Sequence, residues 1–502
     1  MDREIILDEF ARVINSDRYQ YTESDVLLNE GFQEKEAIFD MYFRETEDGG
    51  FAVVSGIQEV IYLIKVLNTT DESIKRKYFE KIIKEKDLLE YLIKLKFTGD
   101  VYAMRDGEIA YPNEPIITIK APLIQAKILE TPILNIMNMQ MAISTKASRV
   151  TRVANPVGVV AFGSRRAHGF DSAVTGSKAA IIGGCVGHSN LVTEYKYGVP
   201  SLGTMSHSFI QTFGVGKEAE KRSFDAFIKW RRDREANSLI LLIDTYNTLK
   251  IGIKNAIASF KENGIDDNYE GIFGVRIDSG DLAYLSKHVR KELNEAGLYK
   301  AKIILTNSLN EDLIRSLKEQ GAQVDLYGVG DAIAVSKSKP CFGGVYKIVV
   351  IDKEPVIKLS EDVIKISNPG FKEVYRIYDK NHKAYADLIT LVENDEDKDR
   401  LLSGKELVLK DEKYEFKSSI LEAGEYTYRK MTLSYIENGV ITENYEKLFD
   451  ILASRTYYLE ESKKFSVERK RLENPHRYKV DISCGLSDLK YGLIKKLKGE
   501  GE

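Results

Sequence analysis

Cysteine is scarce in this chain. Its 502 residues hold three, Cys185, Cys341 and Cys484, far apart and in no CxxC pair. Such a set excludes a disulfide framework and a structural zinc site built on paired cysteines, and it fits a reducing cytoplasm. Histidine is also rare, with six in all. No run of about 18 apolar residues occurs, so no membrane-spanning helix is expected. The opening residues, Met1-Asp2-Arg3-Glu4-Ile5-Ile6, lack the basic region and apolar stretch of a secretory leader. Neither a P-loop nor a dinucleotide fingerprint is present. Net charge is only −4 at pH 7. That balance gives no general attraction to nucleic acid or to anionic lipid.

What is present is ordinary globular composition, 43% hydrophobic and 30% charged. The length exceeds one core and predicts several domains. Composition marks three regions, 1–149, 150–342 and 343–502. The first mixes helical patterns, Ile57 to Leu67 and Asp87 to Leu95, with a hairpin-like stretch from Gly99 to Ile119 that turns at Asp106-Gly107. Lys127 to Val150 reads as a buried helix with Pro132 in its first turn. The last region predicts strands at Val345 to Ile351, Pro355 to Leu359, Glu373 to Tyr378 and Ala384 to Leu391. A charged helix with a solvated face then spans Tyr445 to Leu472.

The middle region alternates apolar strands with amphipathic helices. The strands are Val157 to Phe162, Ser238 to Asp244, Gly274 to Asp278, Lys302 to Asn307 and Val324 to Gly328. Asp281 and Asn310 are N-cap residues for the helices after the third and fourth. Such alternation predicts parallel strands with helices outside. Periodicity alone leaves a barrel and an open doubly wound sheet equally open. In either, chemistry sits at the C-terminal strand ends.

Those ends are polar. Gly163-Ser164-Arg165-Arg166 can fork a phosphate or carboxylate, or can bridge to surface acids. Arg276 and Asp278 lie two apart on one strand and so share a face. Thr306-Asn307-Ser308 and Tyr327-Gly328-Val329-Gly330-Asp331 leave late strands as a phosphate cup would, though turn glycines explain the second as simply. Gly183-Gly184-Cys185-Val186-Gly187 fits tight helix–strand packing better than an anion loop. In Gly203-Thr204-Met205-Ser206-His207-Ser208 a histidine stands between two serines. A neutral imidazole there can attack a γ-phosphorus, or can be a structural histidine satisfied by its neighbours.

Taken in order, these segments resemble the nicotinate phosphoribosyltransferase family. Phe97-Thr98-Gly99-Asp100-Val101, Pro112-Asn113-Glu114-Pro115-Ile116, Val275-Arg276-Ile277-Asp278-Ser279-Gly280-Asp281-Leu282 and Gly343-Gly344-Val345-Tyr346-Lys347 extend the likeness, which runs from about residue 17 to Ser483. The resemblance implies an α/β fold of type II phosphoribosyltransferases: an irregular α/β barrel in the middle, and a second α+β domain made from N- and C-terminal segments. It implies transfer of phosphoribosyl from phosphoribosyl pyrophosphate to nicotinate. ATP is the co-substrate, Mg²⁺ the cation, and the phosphohistidine is at His207.

By the same resemblance Arg165, Arg276 and Ser208 surround nicotinate, and Asp278 faces the ribose hydroxyls. Asn307, Gly330 and Asp331 lie around the 5′-phosphate. Asp331, a carboxylate beside a phosphate, is expected to point away or to cap a helix. A homodimer is implied, with Tyr19 of a second copy stacking on the pyridine and Tyr21 as the fallback. Glu23 stands where the family usually has methionine. Asn190 occupies the place of an aspartate in the nicotinamide-specific relative, which favours the acid. The alternatives are a nicotinamide phosphoribosyltransferase and a non-catalytic sensor of phosphoribosyl pyrophosphate or NAD precursors.

Overall fold

The computed structural model describes residues 8–46, 50–234, 238–360, 366–414 and 416–499. The chain divides into two compact units. One is formed by the chain up to Ala142 and from Cys341 onward, the other by Ile143–Pro340.

The first unit is built on a seven-stranded antiparallel sheet in the order 354–355, 344–351, 36–43, 117–122, 100–104, 432–437, 440–441. The strand Glu36–Phe43 is nearly wholly buried and pairs with Gly344–Ile351 on one side and Ile117–Pro122 on the other. The helix Ile57–Thr69 lays Ile57, Val60, Ile61 and Ile64 into the same core. Asp106 in the expected turn accepts hydrogen bonds from the Gly56 and Ile57 amides at 3.0 and 3.1 Å, and so caps that helix. A second, six-stranded sheet is made wholly of residues after 371.

Three expectations in this unit are corrected. The strand expected over Pro355 to Leu359 is only Glu354–Pro355, at a sheet edge where proline has no N–H to extend the ladder. The helix expected from Lys127 is two helices, Leu123–Ile128 and Glu130–Ala154. Pro132 lacks the N–H that would bond Ile128 and would clash with that carbonyl, so the chain breaks at Leu129 and restarts with Pro132 in the new first turn. The charged helix is Ile451–Lys463, flanked by two 3₁₀ turns. Its face is not all solvated, for Glu461 is buried and bonds Tyr378 and Arg429.

The second unit begins within the helix Glu130–Ala154 (α1), which runs unbroken through residue 149; no loop marks a boundary there. Then come β1 (Gly158–Ala161), α2 (Phe170–Ile182), β2 (Gly187–His188), α3 (Leu191–Tyr197), α4 (His207–Gln211), α5 (Lys217–Arg231) and β3 (Ser238–Leu242). They are followed by α6 (Ile253–Glu262), β4 (Ile272–Ile277), α7 (Leu282–Glu295), β5 (Lys302–Leu305), α8 (Glu311–Glu319), β6 (Leu326–Val329) and α9 (Asp331–Ala334). The six strands are all parallel, in the order β2-β1-β6-β5-β4-β3, and curl into a half barrel.

The two-residue β2 carries too little pattern to be read from sequence. β3, β4 and β5 end one or two residues before the expected Asp244, Asp278 and Asn307, which frees those three from the ladder, whereas β6 starts two residues and ends one residue later than expected. Asp281 and Asn310 do cap α7 and α8, accepting from the Tyr284 and Leu313 amides at 2.9 and 2.8 Å. The glycines of the 183–187 stretch serve packing: a Cβ on Gly183 would lie 2.2 Å from the Ser144 carbonyl oxygen on α1.

Candidate active site

At the C-terminal ends of β1, β4, β5 and β6 a cavity of about 530 Å³ opens. On β4, Val275 and Ile277 are fully buried in the sheet, and Arg276 takes the other face with Asp278 beyond it, so both line the cavity. Arg276 donates from Nη1 to Thr204 Oγ1 at 2.8 Å, while its Nε is buried without an acceptor. Burial lowers the pKa of this guanidinium; Asp278 and Asp244 oppose that, and Arg165 adds to it. A buried donor edge with no acceptor, in a cationic wall, suits a carboxylate.

Asp278 is held at both its side chain and its backbone. Thr306 Oγ1 donates to its Oδ1. Its amide donates to Asp244 Oδ2 at 3.1 Å, and the Ser279 hydroxyl donates to the same oxygen at 2.5 Å. His207 Nε2 lies 3.8 Å from Asp278 Oδ2, and His207 Nδ1 lies 3.0 Å from Thr245 Oγ1. His207 opens α4, whose N-cap Ser206 accepts from the Phe209 amide at 3.2 Å. Behind Asp244, the buried Glu220 on α5 accepts from Asn255 at 2.9 Å. Burial pushes its carboxyl up to about 7, Asn255 opposes, and Asp244 adds to the rise.

At the end of the neighbouring strand β5, Asn307 and Ser308 both take left-handed φ angles, +86° and +48°. For side-chain-bearing residues this is strained backbone. Neither of their amides has a protein acceptor among the described residues. Two backbone donors at the cavity wall are thus open to an anionic ligand. Gly330 lines the same cavity. Asp331 does line the cavity; its carboxylate also accepts from the Ala332 amide at 3.1 Å and stands 3.4 Å from Lys337. It therefore neither points wholly away nor acts as the N-cap, a position taken by Gly330. Arg165 and Arg166 sit in a 3₁₀ turn after β1, exposed and on the cavity wall.

The structure thus brings together Arg165, Arg276, Asp278, Asn307, Gly330 and Asp331, with His207 beside Asp278. Ser208 is not on the cavity wall; its hydroxyl pairs with that of Ser206 at 2.9 Å. Tyr19 belongs to the first unit, on the helix Arg18–Asn29, and is 44% exposed. The fallback Tyr21 is excluded as a stacking ring: it is 6% exposed and packs edge-on against Phe79. Glu23 pairs with Lys127. Asn190 uses both ends of its amide, donating to Ser164 Oγ at 3.2 Å and capping α3 through the Thr193 amide at 2.9 Å. The sequence reading missed Asp244 and Thr245, which follow β3. The rule that found Asp278, polar residues ending an apolar strand, reaches both when applied to Ser238 to Asp244.

Three family models cover nearly all of the chain. They are the nicotinate phosphoribosyltransferase N-terminal domain over residues 14–138, the nicotinate phosphoribosyltransferase family over 157–385, and its C-terminal domain over 371–490. The chain belongs to the nicotinate phosphoribosyltransferase family. The nicotinate phosphoribosyltransferase of Bacillus subtilis is 34% identical over 97% of this chain and 96% of its own. That of Dictyostelium discoideum is 30% identical, over 98% and 91%. Human nicotinic acid phosphoribosyltransferase, 22% identical, shares the fold with a TM-score of 0.79 over 96% of this chain and all of its own. Like the members of this family, the chain is an enzyme. Among its described residues no helix is long and apolar enough to cross a membrane.

Proposed function

We propose that this chain transfers the phosphoribosyl group of phosphoribosyl pyrophosphate to nicotinate in NAD biosynthesis, and that ATP hydrolysis is coupled to the transfer through a phosphohistidine at His207. One observation carries the reading. Arg276, Asp278, Arg165 and the Asn307-Ser308 turn line one cavity, and His207 Nε2 is 3.8 Å from Asp278.

The Nε edge of Arg276, with Arg165, takes the nicotinate carboxylate. The open amides of Asn307 and Ser308, with Gly330, take the 5′-phosphate. The pyridine nitrogen forms its bond to the anomeric carbon as the bond to pyrophosphate breaks and its electron pair leaves with pyrophosphate. Asp278 offsets the positive charge that develops on the ribose. Holding both substrates in line lowers such a barrier by roughly 7–11 kcal/mol. In the ATP half, a lone pair of the His207 imidazole forms the N–P bond while the γ-phosphorus–bridging oxygen bond breaks and its electrons leave on ADP. Water then cleaves the N–P bond, giving phosphate and restoring the histidine.

The residues fit Mg²⁺ as a companion of the substrate pyrophosphate. Among the described residues no three His, Cys, Asp or Glu side chains gather as a metal cage. A cation that keeps its waters and takes substrate oxygens needs only one or two carboxylates, and Asp244 and Asp278 are at hand. When bound, it would neutralise the leaving pyrophosphate.

The exposed ring of Tyr19 supports a homodimer in which a second copy supplies the stacking face; a solution mass of one chain would count against it. Three cysteines, none of them in a disulfide, suit the cytoplasm as the setting. Nicotinamide is the weaker substrate in this reading, because Asn190 has both amide ends engaged and the cavity wall is cationic.

The test is mononucleotide formation by purified protein from nicotinate, phosphoribosyl pyrophosphate and γ-labelled ATP, beside His207→Ala. We expect product and covalent label in the wild type and no label in the variant. Retained label in His207→Ala would refute the phosphohistidine, and substrate binding without product would leave only a sensor.

A further inference from the structure

We infer that Thr245 is the positioning residue for the His207 imidazole, its hydroxyl fixing the ring orientation that turns Nε2, rather than a ring carbon, toward Asp278. The inference rests on the reading of His207 as the phosphoryl acceptor and adds what holds that ring in place.

His207 is poorly held by packing. Its side chain is 41% exposed, and α4 is a five-residue helix whose one buried residue is Ile210. The two ring orientations related by a half-turn about the bond to Cβ, which puts Cδ2 in the place of Nδ1 and Cε1 in the place of Nε2, are sterically near-equivalent. One directed contact breaks that equivalence, the 3.0 Å approach of Thr245 Oγ1 to Nδ1. With Nδ1 so held, Nε2 is the nitrogen that faces Asp278. At 3.8 Å the carboxylate is too far to hydrogen-bond and orients the ring only through its field.

The site of Thr245 in the chain gives the contact its second use. Thr245 directly follows Asp244, whose Oδ2 accepts from the Asp278 amide and the Ser279 hydroxyl. Two consecutive residues at the end of β3 therefore hold the histidine and the loop of the carboxylate it faces. The spacing between His207 and Asp278 is set by one short segment rather than by two loops moving independently.

A hydroxyl is also the right chemical group. It donates to a bare ring nitrogen and accepts from a protonated one, so it keeps its hold whichever state Nδ1 occupies. A ring that gains and loses a phosphoryl group changes the proton count of its nitrogens. A carboxylate in place of Thr245 would favour the protonated nitrogen alone.

The experiment compares Thr245→Val, which keeps the shape and removes the hydroxyl, with Thr245→Ser, which keeps the hydroxyl. The readouts are the single-turnover rate of protein labelling from γ-labelled ATP and nicotinate affinity by calorimetry. Since an ångström of misplacement costs up to roughly a hundredfold, labelling should fall at least about tenfold in Thr245→Val. It should recover to within about threefold in Thr245→Ser, with nicotinate affinity unchanged in both. Wild-type labelling in Thr245→Val would overturn the inference. So would equal loss in both variants, or loss of nicotinate affinity alongside labelling. His207→Ala separates the two levels. If it still labels, the phosphohistidine reading fails; if it does not while Thr245→Val labels normally, only the role of Thr245 fails.

Discussion

A guanidinium sunk into the mouth of a parallel sheet is costly unless its donors find acceptors. Arg276 satisfies one nitrogen with Thr204 and leaves Nε buried and unmatched in the free protein. That unmet donor favours a planar carboxylate over a neutral amide, because only the carboxylate returns charge-assisted bonds to the fork. Lysine keeps the charge but not the fork. We expect Arg276→Lys to lower kcat/KM for nicotinate roughly 10- to 100-fold, the equivalent of about 1.5–3 kcal/mol for a bond to a charged group, and to narrow the preference over nicotinamide. Steady-state kinetics on both substrates checks this; an unchanged ratio would remove Arg276 from acid recognition. Arg276 and Asp278 were readable in the sequence because strand alternation puts them on one face. The pairing of the Ser208 hydroxyl with that of Ser206, the N-cap of α4, is a contact that no pattern of residue types shows.

At the scale of elements, the site depends on how closely α2 approaches α1. Gly183 caps α2 with an ordinary φ of −71°, so its lack of a side chain is not needed for conformation. It is needed for space: an added Cβ would stand 2.2 Å from the Ser144 carbonyl oxygen and 2.8 Å from the Ala147 Cβ. Gly183→Ala is therefore expected to cost about 1–3 kcal/mol by forcing the two helices apart. Thermal unfolding measures it, and an unaltered midpoint would mean that α1 yields freely. Sequence pattern placed most elements of this unit because a buried parallel strand and an amphipathic helix have different periods. It could not place β2, whose two residues carry no period.

The whole chain is tied together in its first unit by charge as well as by apolar packing. Arg376, fully buried, donates from Nε and Nη2 to Asp387 at 2.9 and 2.6 Å and from Nη1 to Glu108 at 2.9 Å. Arg429 also binds Glu108, and Glu461 bonds Arg429 and Lys464. Glu114 joins this cluster with one oxygen on the Tyr111 amide at 2.9 Å and the other buried without a partner. Burial, and then the neighbouring Asp387, hold its carboxyl well above the usual 4.5. The folded state thus binds this proton more tightly than the unfolded chain does. Its stabilisation is complete below the unfolded value and is lost as pH rises toward the folded one. As pH rises above the ordinary carboxyl range, the denaturant midpoint of the wild type should fall relative to that of Glu114→Gln, which cannot ionise. Parallel curves would show that Glu114 is already charged.

By itself the sequence determined the alternation of strands and helices in the middle region, the capped helix starts and the ordered motifs of the family. It determined these because period, capping and motif are properties of neighbours along the chain. Tertiary structure decided which strand ends share a cavity, that Tyr21 is core while Tyr19 is exposed, and that Glu461 is buried. It also brought Asp244 to Asp278 and Thr245 to His207, contacts spanning 34 and 38 residues. Such contacts depend on strand order in the sheet, and strand order is set by packing between distant segments that no local pattern encodes.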